Sequence, residues 1–306
     1  MSNMEENLKK YANGEYIGVI DSGLGELSVL LKLIKYFPKG RFICYADTKN
    51  NPYGLKDKNT IIDLSSNIIK NLKKYNVKDV VIACNTISTQ AMRFLREEFK
   101  DIHFFGTFPV FNEVFFDNKL LVHDETLITF DTSKNSIFKI FNITKKSEKK
   151  KVLVLATTST TKSRFLKKEM KAASGLIDIS KKAADKIVRF VENNEENTLD
   201  CYKYLKNLLK DYDDIDYIIL ACTHFPFIKD RLEQIYEGKH VKIIDNTMSV
   251  ANSFFEYTKN NNINYENDEL EINIIDTRLT KERKEVYLNI LNKYRDNVNF
   301  ITNQFC

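Results

Sequence analysis

The chain has 306 residues, 43% of them hydrophobic, which is enough for two modest domains with cores of their own. Its 47 basic and 42 acidic residues leave a formal charge of +5, a mixed surface with no nucleic-acid signature, so no direct nucleic-acid binding is expected. No apolar run reaches the ~20 residues that span a bilayer, and the start of the chain lacks a signal-peptide core. Five cysteines, an odd number without a C-x-x-C pair, suit a reducing, cytoplasmic setting better than a disulfide framework.

Residues 1–14 form a polar leader. A strand at Ile17–Ile20 ends in Asp21-Ser-Gly-Leu-Gly25, and helical spacing runs from Leu27 to Tyr36 until Pro38 closes it. A second strand, Phe42–Tyr45, leads to Asp47 and the turn Asn50-Asn-Pro-Tyr-Gly54. An amphipathic helix at Ile61–Tyr75 precedes the apolar run Asp79-Val-Val-Ile-Ala-Cys84, followed by a helix over Ser88–Glu98, a strand at Ile102–Phe105 and a turn through Pro109. Between Pro109 and Val152 the pattern weakens to two short strands, Thr126–Phe130 and Ile137–Phe141, with a solvated lysine run at Lys145–Lys151.

From Val152 the design begins again. The strand Lys151-Val-Leu-Val-Leu-Ala156 ends in Thr157-Thr158, and helices follow over Ser163–Lys171, Lys181–Glu192 and Asn197–Asp211. A second apolar run, Tyr217-Ile-Ile-Leu-Ala-Cys222, is followed by Thr223-His224 and a helix start at Phe225-Pro226, with that helix running through Tyr236. The tail reads as strand Val241–Ile244, helix Ser249–Tyr257, strand Leu270–Ile275, helix Lys281–Tyr294 and strand Val298–Ile301.

Unbroken apolar runs bounded by polar residues are strands buried on both faces, the signature of parallel sheets. Open α/β sheets bind ligands at the carboxyl ends of such strands. Cys84 and Cys222 each close one, and each follows an earlier strand end, at Asp21 and Thr157, at nearly the same distance. The reading is two similar β/α domains with largely parallel sheets, related by a pseudo-twofold axis, with the active site at their interface.

A buried strand cysteine is usually a packing residue, and Cys44, Cys201 and Cys306 receive no role. Two placed alike suggest more: thiols on either side of a planar carbanion remove a proton from one face and return one to the other, which inverts a stereocentre without a cofactor or metal. A helix amino terminus pulls a thiol below its free value of about 8.5. Asp21 is the candidate partner of Cys84, and His224, suited to proton traffic near neutral pH, that of Cys222.

Ile17-Gly-Val-Ile-Asp-Ser-Gly23, Asn51-Pro-Tyr-Gly54, Ile82-Ala-Cys-Asn-Thr86, Ala156-Thr-Thr-Ser-Thr160 with Ser163, and Ala221-Cys-Thr-His-Phe-Pro226 resemble, in order, the motifs of cofactor-independent glutamate racemases of the aspartate/glutamate racemase superfamily. The resemblance implies L- to D-glutamate interconversion for peptidoglycan synthesis, with Cys84 and Cys222 as the bases and Asp21 and His224 assisting. It places Ser22, Asn85, Thr86, Thr160 and Thr223 on the substrate's amino and carboxylate groups, and Pro52, Tyr53 and Gly54 near its side-chain carboxylate. It also implies domains of residues 1–107 with 246–306 and of 108–245, and allows a homodimer.

The chain departs from the family's pattern at Glu26, where a second glycine is usual, at Ala221 and Phe225, and in an insertion of some two dozen positions at about 112–148. A carboxylate at Glu26 is expected to crowd the turn or repel a dianionic ligand. Two other readings stay open at this point: an aspartate racemase of the same superfamily, and a non-catalytic relative that binds a partner protein.

Overall fold

A computed structural model of the chain describes residues 16–111, 114 and 149–301. The polar leader, the two short strands expected at 126–141, nearly all of the 112–148 insertion and Cys306 lie outside the described residues.

Among the described residues ten strands form two sheets. The first has the order β10-β9-β2-β1-β3-β4, with β1 at Tyr16–Asp21, β2 at Arg41–Ala46, β3 at Asp79–Ile82, β4 at His103–Gly106, β9 at Glu271–Asp276 and β10 at Val298–Phe300. The second has the order β6-β5-β7-β8, with β5 at Lys150–Ala156, β6 at Ile177–Ala183, β7 at Tyr217–Ala221 and β8 at Lys242–Asp245. Every pairing is parallel. The repeat read from the cysteine strands is therefore a repeat of topology: β2-β1-β3-β4 and β6-β5-β7-β8 follow one pattern, and the tail strands β9 and β10 extend the first sheet alone.

The central strands β1, β3 and β7 are buried along their whole length, as their apolar runs require. Helices cover both faces of each sheet. The helix Glu26–Tyr36 packs with Thr247–Asn260 on one face of the first sheet, with Leu27, Leu30 and Leu33 meeting Ala251 and Phe254 in one core. Ile61, Ile69 and Leu72 of the helix Lys58–Leu72 join Met92 and Leu95 in a core on the other face. Each such side chain, fully buried, contributes about 1.5–3 kcal/mol. Cys44 and Cys201 sit inside the cores of the first and second sheets respectively, with packing roles.

Several elements differ from expectation: a short helix at Thr158–Lys162 precedes the one expected from Ser163, and the helix from Lys281 ends at Ile290. Residues 177–183 form strand β6, so the helix expected over Lys181–Glu192 begins at Asp185. β6 lies at the edge of its sheet, where alternating solvent exposure lets lysines replace the continuous apolar run that marks a central strand. The helix expected from Ser88 starts at Asn85, directly after the cysteine, and breaks at Ala91 before resuming as Met92–Glu98. Phe225–Ile228 is a 3-10 turn leading into the helix Lys229–Ile235.

Candidate active site

Parallel sheets of this winding offer a crevice where the chain leaves neighbouring central strands in opposite directions. In the first sheet that point lies between β1 and β3, beside Asp21 and Cys84; in the second it lies between β5 and β7, beside Thr157 and Cys222. The two crevices face each other and form one small, nearly filled cavity. Asp21, Ser22, Pro52, Tyr53 and Gly54 line it from the first sheet's side, with Cys84, Asn85 and Thr86 beside them. Cys222, Thr223 and His224 line it from the second, along with Thr157 and Val188. Both thiols are buried and free, 5% and 6% exposed, yet each contributes to this wall.

Hydrogen bonds cross between the sheets at the cavity's rim. The Thr223 hydroxyl donates to Asp21 Oδ2 at 2.7 Å, the hydroxyls of Thr86 and Thr157 lie 3.0 Å apart, and Gln90 Nε2 donates to the Ser159 carbonyl at 3.0 Å. Tyr53 is fixed by donating its hydroxyl to Asp47 Oδ2 at 2.6 Å. Thr160, expected against the substrate, does not line the cavity. It is fully buried behind Thr157, donating its backbone N–H to the Thr157 hydroxyl at 3.3 Å as part of that residue's helix cap. The wall position falls to Thr157 because the cap residue, one step past the strand end, is the one that faces the crevice.

The two sulfurs stand in different electrostatic settings. Cys84 Sγ lies 3.9 Å from Ser22 Oγ, beside the Asp21 carboxylate. The expectation that a helix terminus would pull this thiol below its free value is not met. Burial pushes it well up, the charge of Asp21 pushes it further, and the backbone N–H groups of Ile87 and Thr86 only partly compensate. A six-residue helix, Asn85–Gln90, carries too little dipole to offset full burial. Asp21 is itself raised, by burial first, against the pull of His224, Thr223 and Ser22.

Cys222 Sγ lies 3.9 Å from His224 Nδ1. Burial opposes a charged imidazole, but the hydrogen bonds to Cys222 and to Glu192 overcome it and hold His224 well above its ordinary value. Glu192, which the sequence pattern does not single out, joins the site through His224. Its Oε1 lies 2.6 Å from His224 Nε2, and it also accepts from the Leu24 N–H at 2.8 Å and from Asn51 Nδ2 at 3.3 Å. A Cβ at residue 23 would meet Glu192 Oε1 at 1.9 Å, so only glycine admits the carboxylate there. Burial would raise Glu192, yet the bonds from His224 and the charge of Arg283 keep it lowered.

Glu26 does not reach the cavity. It is buried at the start of its helix, with neither carboxylate oxygen hydrogen-bonded among the described residues. The expected repulsion of a ligand therefore does not arise from it directly. In the wall, Asn85 donates through Nδ2 to the Thr107 carbonyl at 3.1 Å, while its Oδ1 is buried without a hydrogen-bond partner among the described residues. That free acceptor, on a residue that lines the cavity with Ser22, Thr86 and Thr157, suits an ammonium group. Among the described residues no three His, Cys, Asp or Glu side chains are grouped to hold a metal.

Residues 141–253 match the family model for Asp/Glu/Hydantoin racemase. The chain is 31% identical over 265 residues to a glutamate racemase of Clostridium perfringens, covering 86% of this chain and 89% of the relative. It is 31% identical over 237 residues to that of Clostridium acetobutylicum, covering 77% and 80%. Among solved structures it is similar to a glutamate racemase from Bacillus anthracis, with a TM-score of 0.75 at 21% identity, covering 95% of this chain and 97% of that one. The glutamate racemase of Campylobacter jejuni superposes with a TM-score of 0.69 at 26% identity, covering 90% and 98%.

Proposed function

This chain belongs to the glutamate racemase family, and we infer from its site that it interconverts L- and D-glutamate by proton transfer between two thiols. One observation carries the mechanism: Cys84 and Cys222, from different sheets, wall the same small cavity. Glutamate sits with its α-carbon between the sulfurs. The thiolate on one face takes the α-proton, leaving a planar carbanion whose charge spreads into the α-carboxylate. The thiol on the other face then delivers its own proton, giving the opposite enantiomer and exchanging the roles of thiol and thiolate.

The surroundings fit that division. Cys84, pushed up by burial and by Asp21, favours the neutral thiol, the form that donates. The His224 imidazolium, with Nδ1 3.9 Å from Cys222 Sγ, stands as a cation beside the sulfur assigned to abstract. After one turnover the proton distribution is reversed. Asp21 and His224, each beside a sulfur, are placed to pass protons and restore it. Asn85 Oδ1 accepts from the substrate ammonium, Ser22, Thr86 and Thr157 orient its carboxylate, and Pro52, Tyr53 and Gly54 bound the side chain. Binding energy used for this alignment puts the α-carbon in line with both sulfurs.

We divide the chain into residues 1–107 with 246–306, which hold every strand of the first sheet, and 108–245, which hold every described strand of the second. No helix among the described residues is long and apolar enough to cross a membrane. We place the enzyme in the cytoplasm, acting on free glutamate and supplying D-glutamate for peptidoglycan. A chiral assay of glutamate and aspartate in deuterated water, with chelator and without pyridoxal phosphate, tests the reading. Racemisation of glutamate with deuterium entering the α-position is expected. Turnover of aspartate alone would reassign the substrate, and inertness of a folded protein toward both would overturn the enzyme reading.

A further inference from the structure

The mechanism uses His224 and its partner Glu192 but leaves unused the charged side chains packed behind them. Arg283, in the helix Lys281–Ile290, is 8% exposed and comes from the far end of the chain. Its Nη1 donates to Glu192 Oε2 at 3.1 Å, and its Nε donates to Asp276 Oδ2 at 2.9 Å. Asp276, at the end of β9, is held in turn by the Tyr287 hydroxyl at 2.9 Å. The planar guanidinium fork thus spans two carboxylates, one on each sheet's side of the cleft, a task that a point charge on a flexible stem performs poorly.

We propose that Arg283 is a positioning residue for His224: it fixes the Glu192 carboxylate with one oxygen on the guanidinium and the other on the imidazole. Glu192 Oε1 already takes N–H bonds from His224, Leu24 and Asn51. Without the bond to Oε2 the carboxylate is free to turn about its last torsion, which weakens the short contact to His224. Glu26 lies in the same buried region. Burial first, then the charges of Asp21, Asp276 and Glu192, push its carboxyl well above its ordinary value, which favours the neutral acid and leaves the Arg283 charge to the two carboxylates it bonds. The titratable groups that face the pair are Cys222, Glu192 and Asp21 around His224, and Asp276, Glu192, Tyr287 and the neutral Glu26 around Arg283.

The inference rests on the racemase reading for what His224 accomplishes, but its test does not need turnover. The chain has 4 histidines, so the imidazole signals are few, and His224→Gln assigns the one of interest in an NMR pH titration. In Arg283→Met, loss of the guanidinium charge by itself would raise His224. The weakened contact to Glu192 is therefore read as the opposite shift, loss of the proton about one pH unit or more below the wild type, with kcat lowered about 10- to 100-fold in both directions and KM within about threefold. Arg283→Lys falls between the two. Glu26→Gln, neutral and of the same shape, leaves both readouts at wild-type values; a change there as large as in Arg283→Met would mark a general disturbance of this core and overturn the proposal. So would an unchanged titration in a folded but inactive Arg283→Met. Should that variant not fold, Arg283→Lys decides: a His224 titration identical to the wild type overturns the proposal. A shifted titration in a protein that racemises nothing would uphold the positioning role and refute the racemase reading instead.

Discussion

Replacing Glu192 by glutamine removes one charge and almost no volume, and tests whether the concealed carboxylate is the partner of His224. In the native chain Glu192 is bonded by a buried imidazolium at 2.6 Å and a buried guanidinium at 3.1 Å. With its carbonyl in the place of Oε1 the glutamine can still accept from the Leu24 N–H and from His224, but its amide hydrogens then face the Arg283 guanidinium. Removing one member of a buried charged pair costs about 3–5 kcal/mol. The lower end applies here because the hydrogen bonds to that oxygen are kept, so a loss of about 3 kcal/mol and a fall in Tm of about 6–12 °C are expected.

The pH dependence gives the sharper test. His224 has a folded-state value raised above its unfolded value, so its stabilising contribution is complete below about pH 6.5 and is lost as pH rises through the folded value. Glu192 has a lowered folded value, so its contribution is present above about pH 4.3 and is lost in acid. The deficit of Glu192→Gln against the wild type should therefore be largest between those limits and shrink as pH rises through the raised value of His224. Thermal denaturation followed by circular dichroism across that range reads the effect, and kcat should fall about 10²- to 10⁴-fold in both directions. A variant within about 1 kcal/mol of the wild type at every pH, with kcat within about tenfold, would refute the pairing.

Further outcomes follow from the same geometry. Cys84→Ala and Cys222→Ala should each abolish interconversion of the enantiomers in a chiral assay while remaining folded, and near-normal turnover in either would contradict transfer between two thiols. Gly25→Ala should lower kcat at least about 10²-fold, because the added Cβ would lie 2.3 Å from Thr223 Oγ1 and 2.8 Å from both Asp21 Oδ2 and His224 Nδ1. Gly175→Ala, with nothing within 4 Å, is the matched control expected to keep wild-type rates. Asn85→Ala should raise KM for glutamate by about 10-fold or more, the loss of a hydrogen bond to a charged ammonium, with a smaller effect on kcat; an unchanged KM would remove Asn85 from the ammonium site.

Local rules carried the reading wherever a strand was central. β1, β3, β5 and β7 have continuous apolar runs because both of their faces are covered by helices, and each ends in the polar residue that meets the crevice. β6 escaped because it lies at the edge of its sheet with partly exposed side chains, so Asp178, Ser180 and the adjacent Lys181 and Lys182 interrupt its apolar residues and match a helix start as readily as a strand. Thr157 was within reach of the repeat, standing at the second sheet's counterpart of Asp21. Glu192 was not: the end of an amphipathic helix gives no reason to single out its last carboxylate, and its partners lie 32, 91 and 168 residues away in the chain.

The sequence by itself determined the two β/α units, their matched winding and the strand-end positions of both thiols, because periodicity and strand-end chemistry are properties of neighbouring residues. The protonation of the site was decided only in the tertiary structure. Whether a thiol at a helix start is lowered or raised depends on how much water reaches it and which charge faces it. The packing buries Cys84 against Asp21 and gives His224 a carboxylate from another helix. Those environments arise from contacts between segments that no local pattern relates, so the same residues in the same order specified which groups line the crevice but not the charge each would carry.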